Sequence, residues 1–356
     1  MKIGLLGLPN SGKTTIFNAL TKSEAEVTTY ASNKAEPNAA IVEVGDERII
    51  RLSHMYKPKK TTYATIEMVD FVGFSEGTAR EEDFSNAQMS LIKNMDALAL
   101  VVRNFTDDLM ENPNPIADIE TIDSELILSD MIGTENRIER IEWNFKRGKS
   151  TNKLQFEERI LRKIQKELNN SRHVSELSFN SEEEKVISGF QFVTKKPFFV
   201  ILNSSEENFG SDNELIAKIE EKYKIIEFAG KFEMELSHLC DEKEASLFME
   251  DIGIKESARD RITRFAYEML GYISFITVGT DEVRAWTIHD GNTALEAAET
   301  IHSDLARGFI RAECFSYNEL IDCGSEKGVR DKGRFRLEGK DYIIKDGDIL
   351  NIRFNV

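Results

Sequence analysis

The chain has 356 residues, of which 40% are hydrophobic, and a formal net charge of −17. This length favours two or three domains with real apolar cores. The negative charge argues against non-specific coating of nucleic acid or membranes, and no apolar run reaches membrane-spanning length. Three cysteines without C-x-x-C spacing disfavour a disulfide framework and a zinc site. We therefore expect a cytoplasmic protein with reduced thiols and no membrane partner.

The N-terminus joins an apolar run, a glycine-rich turn and a helical pattern. Residues 2–6 suit a buried parallel strand, residues 7–14 match G-x-x-x-x-G-K-[ST] in full, and residues 16–20 have helical apolar spacing. Such a loop turns backbone N–H groups toward the β- and γ-phosphates of a nucleotide, and its flanks disfavour a chance glycine-rich turn. We predict that Lys13 adds a charge to the phosphates and that Thr14 binds Mg²⁺. The predicted nucleotide-binding residues here are Asn10, Ser11, Gly12, Lys13, Thr14 and Thr15.

Two further strand patterns follow at residues 40–44 and 64–70. The second ends in Asp70, followed by Gly73, which is the arrangement that P-loop enzymes use to hold Mg²⁺ and to sense the γ-phosphate. The alternative is a strand that simply ends in a polar residue. We predict that Asp70 shares the metal with Thr14 and that Lys13, Asp70 and Gly73 are the catalytic residues. Phe74 stands where many GTPases place a glutamine that orients water, so another group must do so here.

A long helical segment interrupts this α/β pattern after a strand at 97–103. From about 119 to 170 the apolar residues repeat at heptad spacing on two stretches with a turn at 146–153, which predicts an antiparallel helical hairpin. Residues 137–172 hold eleven Lys or Arg against five Asp or Glu. The basic tip is either a phosphate-contacting arm or a solvated, merely charged coiled coil. Trp143 in this arm is expected to be a packing residue.

The strand pattern resumes at 198–203 and delivers Asn203, Ser204 and Glu206 to the edge of the sheet where ligands of α/β folds lie. GTPases have Asn-Lys-x-Asp there, and the longer Glu206 weakens the argument for guanine. We predict that Asn203 and Glu206 face the nucleotide base and that Ser204 belongs to the same nucleotide-binding set. The fold class is then an α/β P-loop NTPase, Rossmann-like, with a mostly parallel sheet.

Beyond the sheet, a helical pattern runs over 242–270, and short strands follow at 273–278, 283–288, 334–337 and 349–354 with a helix at 293–306. A ubiquitin-sized mixed sheet is the natural interpretation. Residues 271–356 carry eleven Lys or Arg against fifteen Asp or Glu, which does not support purely electrostatic RNA binding by this part. The predicted domains are 1–114 with 196–271 for the nucleotide, 115–195 for the helical insertion, and 272–356.

Several motifs resemble the YchF/Obg-like ATPase family, translation-associated P-loop NTPases of the TRAFAC class. The similarity includes Gly-Leu-Pro-Asn-x-Gly-Lys at residues 7–13, Glu-Pro-Asn at 36–38, Asn-x-x-Glu at 203–206, and above all the C-terminal runs 283–288, 308–313, 337–342 and 346–356. It implies a nucleotide domain interrupted by a coiled-coil arm, a C-terminal β-grasp (TGS) domain, hydrolysis of ATP in preference to or alongside GTP, and association with ribosomes. It also implies that Asn10 ligates K⁺, as in related NTPases.

The chain departs from the family pattern in its switch regions. Lys34 replaces the usual threonine, residues 78–83 replace a glycine-rich second switch, and no histidine occurs between His54 and His173. We therefore expect a diverged member with intact nucleotide binding and low turnover, acting as a monomeric switch that contacts ribosome or RNA through the basic arm tip and the TGS domain. The alternative is a catalytically weak or inactive scaffold for such a partner. A small-molecule kinase is disfavoured because no acceptor pocket is specified.

Overall fold

The computed structural model describes residues 1–21, 37–71, 88–107, 110–239, 247–250, 253–254 and 256–355. Several positions named from the sequence lie outside these residues: Lys34, Glu36, Gly73, Phe74 and the second switch region at 78–83. The chain forms two compact units, one of Met1–Ile41 with Glu67–Ala258 and one of Val42–Ile66 with Arg259–Val356. The two units differ from the three domains that the sequence predicts, and those three domains stay a prediction.

Two six-stranded sheets are present in the described residues. In chain order their strands are β1 (Lys2–Leu6), β2 (Asn38–Glu43), β3 (Lys60–Thr62), β4 (Thr65–Asp70), β5 (Ala97–Asn104), β6 (Phe198–Ser204), β7 (Lys224–Phe228), β8 (Tyr272–Thr277), β9 (Glu282–His289), β10 (Phe309–Ser316), β11 (Arg336–Glu338) and β12 (Asp348–Phe354).

The α-helices whose bounds are described flank these sheets or project from them. They are α1 (Lys13–Thr21), α2 (Glu47–Tyr56), α3 (Pro115–Lys146), α4 (Asn152–Leu168), α5 (Ser181–Ile187), α6 (Asn213–Glu220), α7 (Gly230–Ser237), α8 (Ala258–Leu270), α9 (Ala294–Ile301), α10 (Ser303–Arg307), α11 (Tyr317–Cys323) and α12 (Glu326–Asp331). None of the helices in the described ranges is both long and apolar enough to cross a membrane.

The first sheet has the strand order β2-β4-β1-β5-β6-β7. β1 lies parallel between β4 and β5, so that Ile3 pairs with Met68 on one side and Ala97 on the other. β5, β6 and β7 continue in parallel. Because strands such as β5 and β6 are buried on both faces, they are near-continuous apolar runs. The predicted α/β P-loop fold with a mostly parallel sheet is confirmed, and its carboxyl edge gathers the ends of β1, β4, β5 and β6.

The helical hairpin is formed by α3 and α4. Asn114 caps α3 by accepting from the N–H of Ala117, and Pro115 starts the first turn, where its missing N–H costs nothing. One buried cluster contains the predicted heptad residues Ile127, Ile138, Ile141, Leu161, Ile164 and Leu168, and Ile160 joins them. Arg137 pairs with Glu157 across the seam. Trp143 departs from expectation, since 54% of it is exposed and the Arg147 guanidinium lies 3.1 Å from its ring centre.

A buried polar cluster joins this hairpin to the parallel sheet. Asp123 of α3 is 5% exposed and lies 2.5 Å from Nε2 of His173, which follows α4. The other carboxylate oxygen of Asp123 accepts hydrogen bonds from Lys222 at 3.2 Å and from the Tyr223 hydroxyl at 3.1 Å, just before β7. Burial alone would raise the pKa of Asp123, but His173 and Lys222 lower it below its ordinary value.

The second sheet has the order β11-β10-β12-β8-β9-β3. β8 and β9 pair antiparallel, β12 joins β8 in parallel, and β10 lies antiparallel between β11 and β12. This is the expected small mixed sheet with helix α9 packed into its core. β10 is a main strand of this sheet that was not predicted from the sequence. α2 and β3 were not predicted either. Arg48 of α2 binds Asp346 at 2.7 Å within this unit.

Two predicted helices are shorter in the structure. The helix expected at 293–306 is interrupted at His302, whose backbone is extended and whose Nδ1 accepts from the N–H of Asp304 to start α10. The helical pattern expected over 242–270 is not continuous either. Gly253 adopts φ +75°, a conformation that ends a helix, and the regular helix α8 begins only at Ala258.

Candidate nucleotide site

The glycine-rich loop runs from the end of β1 into α1. Gly12 adopts φ +85° directly before the helix, and a Cβ there would lie 2.1 Å from Nδ2 of Asn203. A Cβ on Gly7 would lie 2.4 Å from the carbonyl oxygen of Val101. Both positions of the G-x-x-x-x-G motif thus require glycine, one for its conformation and both for close approach. The loop leads the backbone to the N-terminus of α1, where unpaired N–H groups favour an anion.

Lys13 lies within this loop rather than in solvent. It is only 7% exposed, and its Nζ donates to the carbonyl oxygens of Gly7 and Leu8, each at 2.9 Å. An ammonium group has three donors, and these bonds use two of them. Burial lowers the pKa of Lys13 from 10.5 to about 8, although the charge of Asp70 opposes the shift. The loop therefore holds a buried cation that a phosphate oxygen can neutralise.

Thr14 and Asp70 meet at the ends of α1 and β4. The Thr14 hydroxyl donates to Oδ2 of Asp70 at 2.9 Å, and Asp70 is 5% exposed. Burial raises the pKa of Asp70, while the Thr14 hydrogen bond, the Lys13 charge and the nearby Asn38 side chain act in the opposite direction. Oδ1 of Asp70 makes no hydrogen bond in the part of the chain that the structure describes. A hydroxyl beside an unsatisfied carboxylate oxygen is a donor set that fits Mg²⁺.

Asn203 lies beneath the glycine-rich loop. It is 3% exposed, its Nδ2 donates to the carbonyl of Ser11 at 3.0 Å, and its Oδ1 accepts from the N–H of Gly230 at 3.1 Å. One side chain thus joins β6, the loop and the start of α7. Asn203 is predicted from the sequence to face the base, but its link to Ser11 has no signal in the local pattern, because the two residues are 192 positions apart.

The other two nucleotide-binding residues predicted beside Asn203 differ in their surroundings. Ser204 is 3% exposed, and its hydroxyl accepts from Asn104 at 3.1 Å and donates to Glu227 at 2.5 Å. Glu206 is exposed in the turn that follows β6. Sequence reasoning missed Asn104 and Glu227 because each is an isolated polar residue at the end of an apolar strand, without a motif of its own.

The remaining predicted positions can be located only in part. Ser11 is buried, Thr14 and Thr15 are half-buried, and Asn10 is exposed with φ +62°. The structure therefore brings the glycine-rich loop, Lys13, Thr14, Asp70 and Asn203 together, and Gly73 lies outside the described residues. In the described residues, no group of three or more His, Cys, Asp or Glu side chains could hold a metal ion. A cation at the glycine-rich loop would therefore have few protein ligands.

Two sequence-family profiles match the chain. Residues 2–128 match the family described as 50S ribosome-binding GTPase, and residues 272–355 match the C-terminal family of YchF GTPases, described as a protein of unknown function.

Whole-chain relatives give the same picture. The chain is 39% identical over 364 residues to the ribosome-binding ATPase YchF of Bacillus subtilis, covering 99% of both chains. It is 38% identical to the protein of the same name from Pasteurella multocida, covering 100% of this chain and 99% of that one. The solved YchF GTPase of Schizosaccharomyces pombe superposes with a TM-score of 0.82 at 29% identity, covering 99% of this chain and 97% of that one. With this identity along its whole length and the same fold, the chain belongs to the YchF family.

Proposed function

We propose that the chain is a Mg²⁺-dependent P-loop NTPase that binds and slowly hydrolyses ATP, GTP or both, and acts as a nucleotide-dependent switch associated with the ribosome. The observation that carries the enzymatic part is the arrangement of Lys13, Thr14 and Asp70 around the glycine-rich loop. The relatives are named ribosome-binding ATPase, and the family that matches residues 2–128 is described as 50S ribosome-binding GTPase; both support the association. A ribosome partner would place the protein in the cytoplasm.

The loop residues bind and orient the triphosphate. N–H groups at the start of α1 and the Lys13 ammonium hold its oxygens and stabilise the negative charge that develops as the terminal phosphoryl group transfers. Thr14 and Asp70 would hold Mg²⁺, which supplies further positive charge to the phosphates. We assign Gly73 to the γ-phosphate by sequence position, and the exposed Asn10 is the residue available to a K⁺ ion.

The base is proposed to lie at the carboxyl edge of β6. Asn203 supports the loop from this edge, and Glu206 is exposed in the next turn, where its carboxylate can accept from an exocyclic amine. Turnover is expected to be slow because the switch regions depart from the family pattern at Lys34 and at residues 78–83, and no histidine occurs between His54 and His173.

The arm tip is proposed as the part that contacts ribosomal RNA. Lys146, Lys149 and Lys153 are exposed around the turn between α3 and α4, and the stacked pair of Trp143 and Arg147 lies beside them. Cations of this kind neutralise phosphates, and exposed aromatic faces can stack on unpaired bases. The charge change Lys149→Glu with Lys153→Glu should weaken ribosome binding and reduce its salt dependence. Lys218→Glu with Lys224→Glu, which reverses the charge of two exposed lysines on α6 and β7, is the matched control.

Binding and turnover of Mg²⁺ complexes of ATP and GTP test the enzymatic proposal directly. In Lys13→Ala, hydrolysis should fall by about 100-fold or more because the charge on the transferring group loses its cation. Lys218→Ala, which alters a lysine remote from the loop in sequence, should behave as the wild type. Unchanged binding and turnover in Lys13→Ala would show that the glycine-rich loop is not the working site.

A further inference from the structure

A chain of hydrogen bonds, closed into a ring only by the backbone of residues 210–212, runs beside the turn at residues 205–212, directly after β6. Nδ2 of Asn104 donates both to Oγ of Ser204 at 3.1 Å and to Oδ2 of Asp212 at 2.7 Å. Oγ of Ser204 donates to Oε1 of Glu227 at 2.5 Å, and Oε2 of Glu227 accepts from the N–H of Gly210 at 3.0 Å. We call the side chains of Asn104, Ser204, Asp212 and Glu227 the polar ring.

The polar ring fixes the turn at both of its ends. Glu227 lies on β7 and binds the backbone near the end of the turn, while Ser204 and Asn104 lie on the neighbouring strands β6 and β5. Asn104 and Ser204 are buried, with 6% and 3% exposed, so their polar atoms need these partners. Glu206 is exposed near the start of the turn and is not a member of the polar ring, so its carboxylate is available to a ligand.

We propose that Glu227 is a positioning residue for purine recognition: through the polar ring it holds the turn that carries Glu206 in the geometry that reads the nucleobase. This inference rests on the proposed nucleotide binding. Ser204 follows Asn203 directly in sequence, but its hydroxyl is committed to Asn104 and Glu227, so Ser204 shapes the base site without contacting the base. A turn that is already ordered loses less conformational entropy when the nucleotide binds.

The polar ring should affect binding of the base and not of the phosphates, because a different side chain, Asn203, holds the glycine-rich loop. Inorganic tripolyphosphate, which has no base, therefore separates the two parts of the site. In the full-length protein with Mg²⁺, Glu227→Ala should weaken binding of ATP and GTP by about tenfold, the effect of losing hydrogen bonds to a charged group. Its affinity for tripolyphosphate should stay within about twofold of the wild type, since no phosphate contact changes.

Conservative and independent variants keep the test specific. Glu227→Gln retains an oxygen for the Gly210 N–H and an amide that can donate to Ser204, so it should restore most of the lost affinity. Ser204→Ala should show the same base-dependent loss and serves if Glu227→Ala does not fold. Glu220→Ala, an exposed residue at the end of α6, is the control and should change nothing. Hydrogen exchange of residues 205–212 should accelerate in Glu227→Ala and not in Glu220→Ala.

Equal losses for tripolyphosphate and nucleotides would overturn the inference, because the ring would then support the fold or the phosphate site. Unchanged nucleotide affinity in both Glu227→Ala and Ser204→Ala would overturn it too. In both outcomes the wild type still binds nucleotides, so the proposed function stands while this inference fails. If the wild type itself binds tripolyphosphate and nucleotides equally, or binds neither, the proposed base site fails and the inference falls with it.

Discussion

Asn203 donates a hydrogen bond from its side-chain amide to the backbone carbonyl of Ser11, across 3.0 Å and 192 positions of sequence. The bond links the carboxyl end of β6 to the middle of the glycine-rich loop. The side-chain oxygen Oδ1 of Asn203 accepts a hydrogen bond from the N–H of Gly230, which fixes the orientation of the amide. The shape of the phosphate site thus depends on a residue outside the loop.

Removing this link should loosen the phosphate site. We expect Asn203→Ala to weaken tripolyphosphate binding by about tenfold, because a buried carbonyl loses its donor and the loop loses its support. Calorimetric titration of tripolyphosphate with Mg²⁺ measures this effect, with the exposed Asn213→Ala as control. Wild-type affinity in Asn203→Ala would mean that the loop holds its shape alone.

Lys13 predicts a pH dependence of binding. Its pKa is lowered to about 8 in the nucleotide-free protein, so the ammonium is charged below that pH and becomes neutral above it. Phosphate binding requires the charged form, and nucleotide affinity should therefore fall as pH rises through about 8, by up to about tenfold per unit. Dissociation constants between pH 7 and 9.5 measure the slope. In Lys13→Ala this decline should vanish, and a decline of the same size there would assign it to another group.

Asp70 predicts how the protein depends on Mg²⁺. Asp70→Asn keeps the shape of the side chain but removes the negative charge beside Thr14. The Mg²⁺ concentration that gives half-maximal nucleotide binding should rise about 10- to 100-fold, the usual scale for altering a group that organises a metal site. Asp96→Asn changes an aspartate outside the loop and β4 and should leave that concentration unchanged. An unaltered requirement in Asp70→Asn would place the metal elsewhere.

Asp123 predicts a pH-dependent contribution to stability. Asp123→Asn should lower the free energy of unfolding by about 3 kcal/mol at pH 7, because His173, Lys222 and Tyr223 lose a buried carboxylate partner. Since the folded pKa of Asp123 lies below 3.8, its contribution is complete above about pH 4 and disappears as the pH falls further through the folded pKa. Denaturant unfolding at pH 7 and pH 3 should show the difference shrinking. The exposed Glu120→Gln is the control, and a difference that stays constant would contradict the pairing.

The sequence predicted the parts of the molecule that are encoded locally. The loop, Lys13, Thr14 and Asp70 could be found because each depends on a short motif beside an apolar strand. The heptad residues of α3 and α4 likewise indicated their shared seam before the fold was known.

Contacts between distant strands could not be predicted in this way. The bond from Asn203 to Ser11 and the polar ring each join several separate elements, so no single stretch carries their signal. The break at His302 was missed for a different reason. The apolar pattern continues through it, and only the backbone conformation and the cap on Asp304 show where one helix ends and the next begins.

The most direct test of the switch is the affinity of the full-length protein for ribosomes with and without nucleotide. Co-sedimentation should show affinity that differs by about fivefold or more between the nucleotide-free form and the complex with a non-hydrolysable ATP analogue, the usual scale of coupling between two sites. Lys13→Ala should bind ribosomes equally in both conditions. If the wild type also binds ribosomes equally with and without nucleotide, the protein is a nucleotide-indifferent scaffold and the account of a switch is wrong.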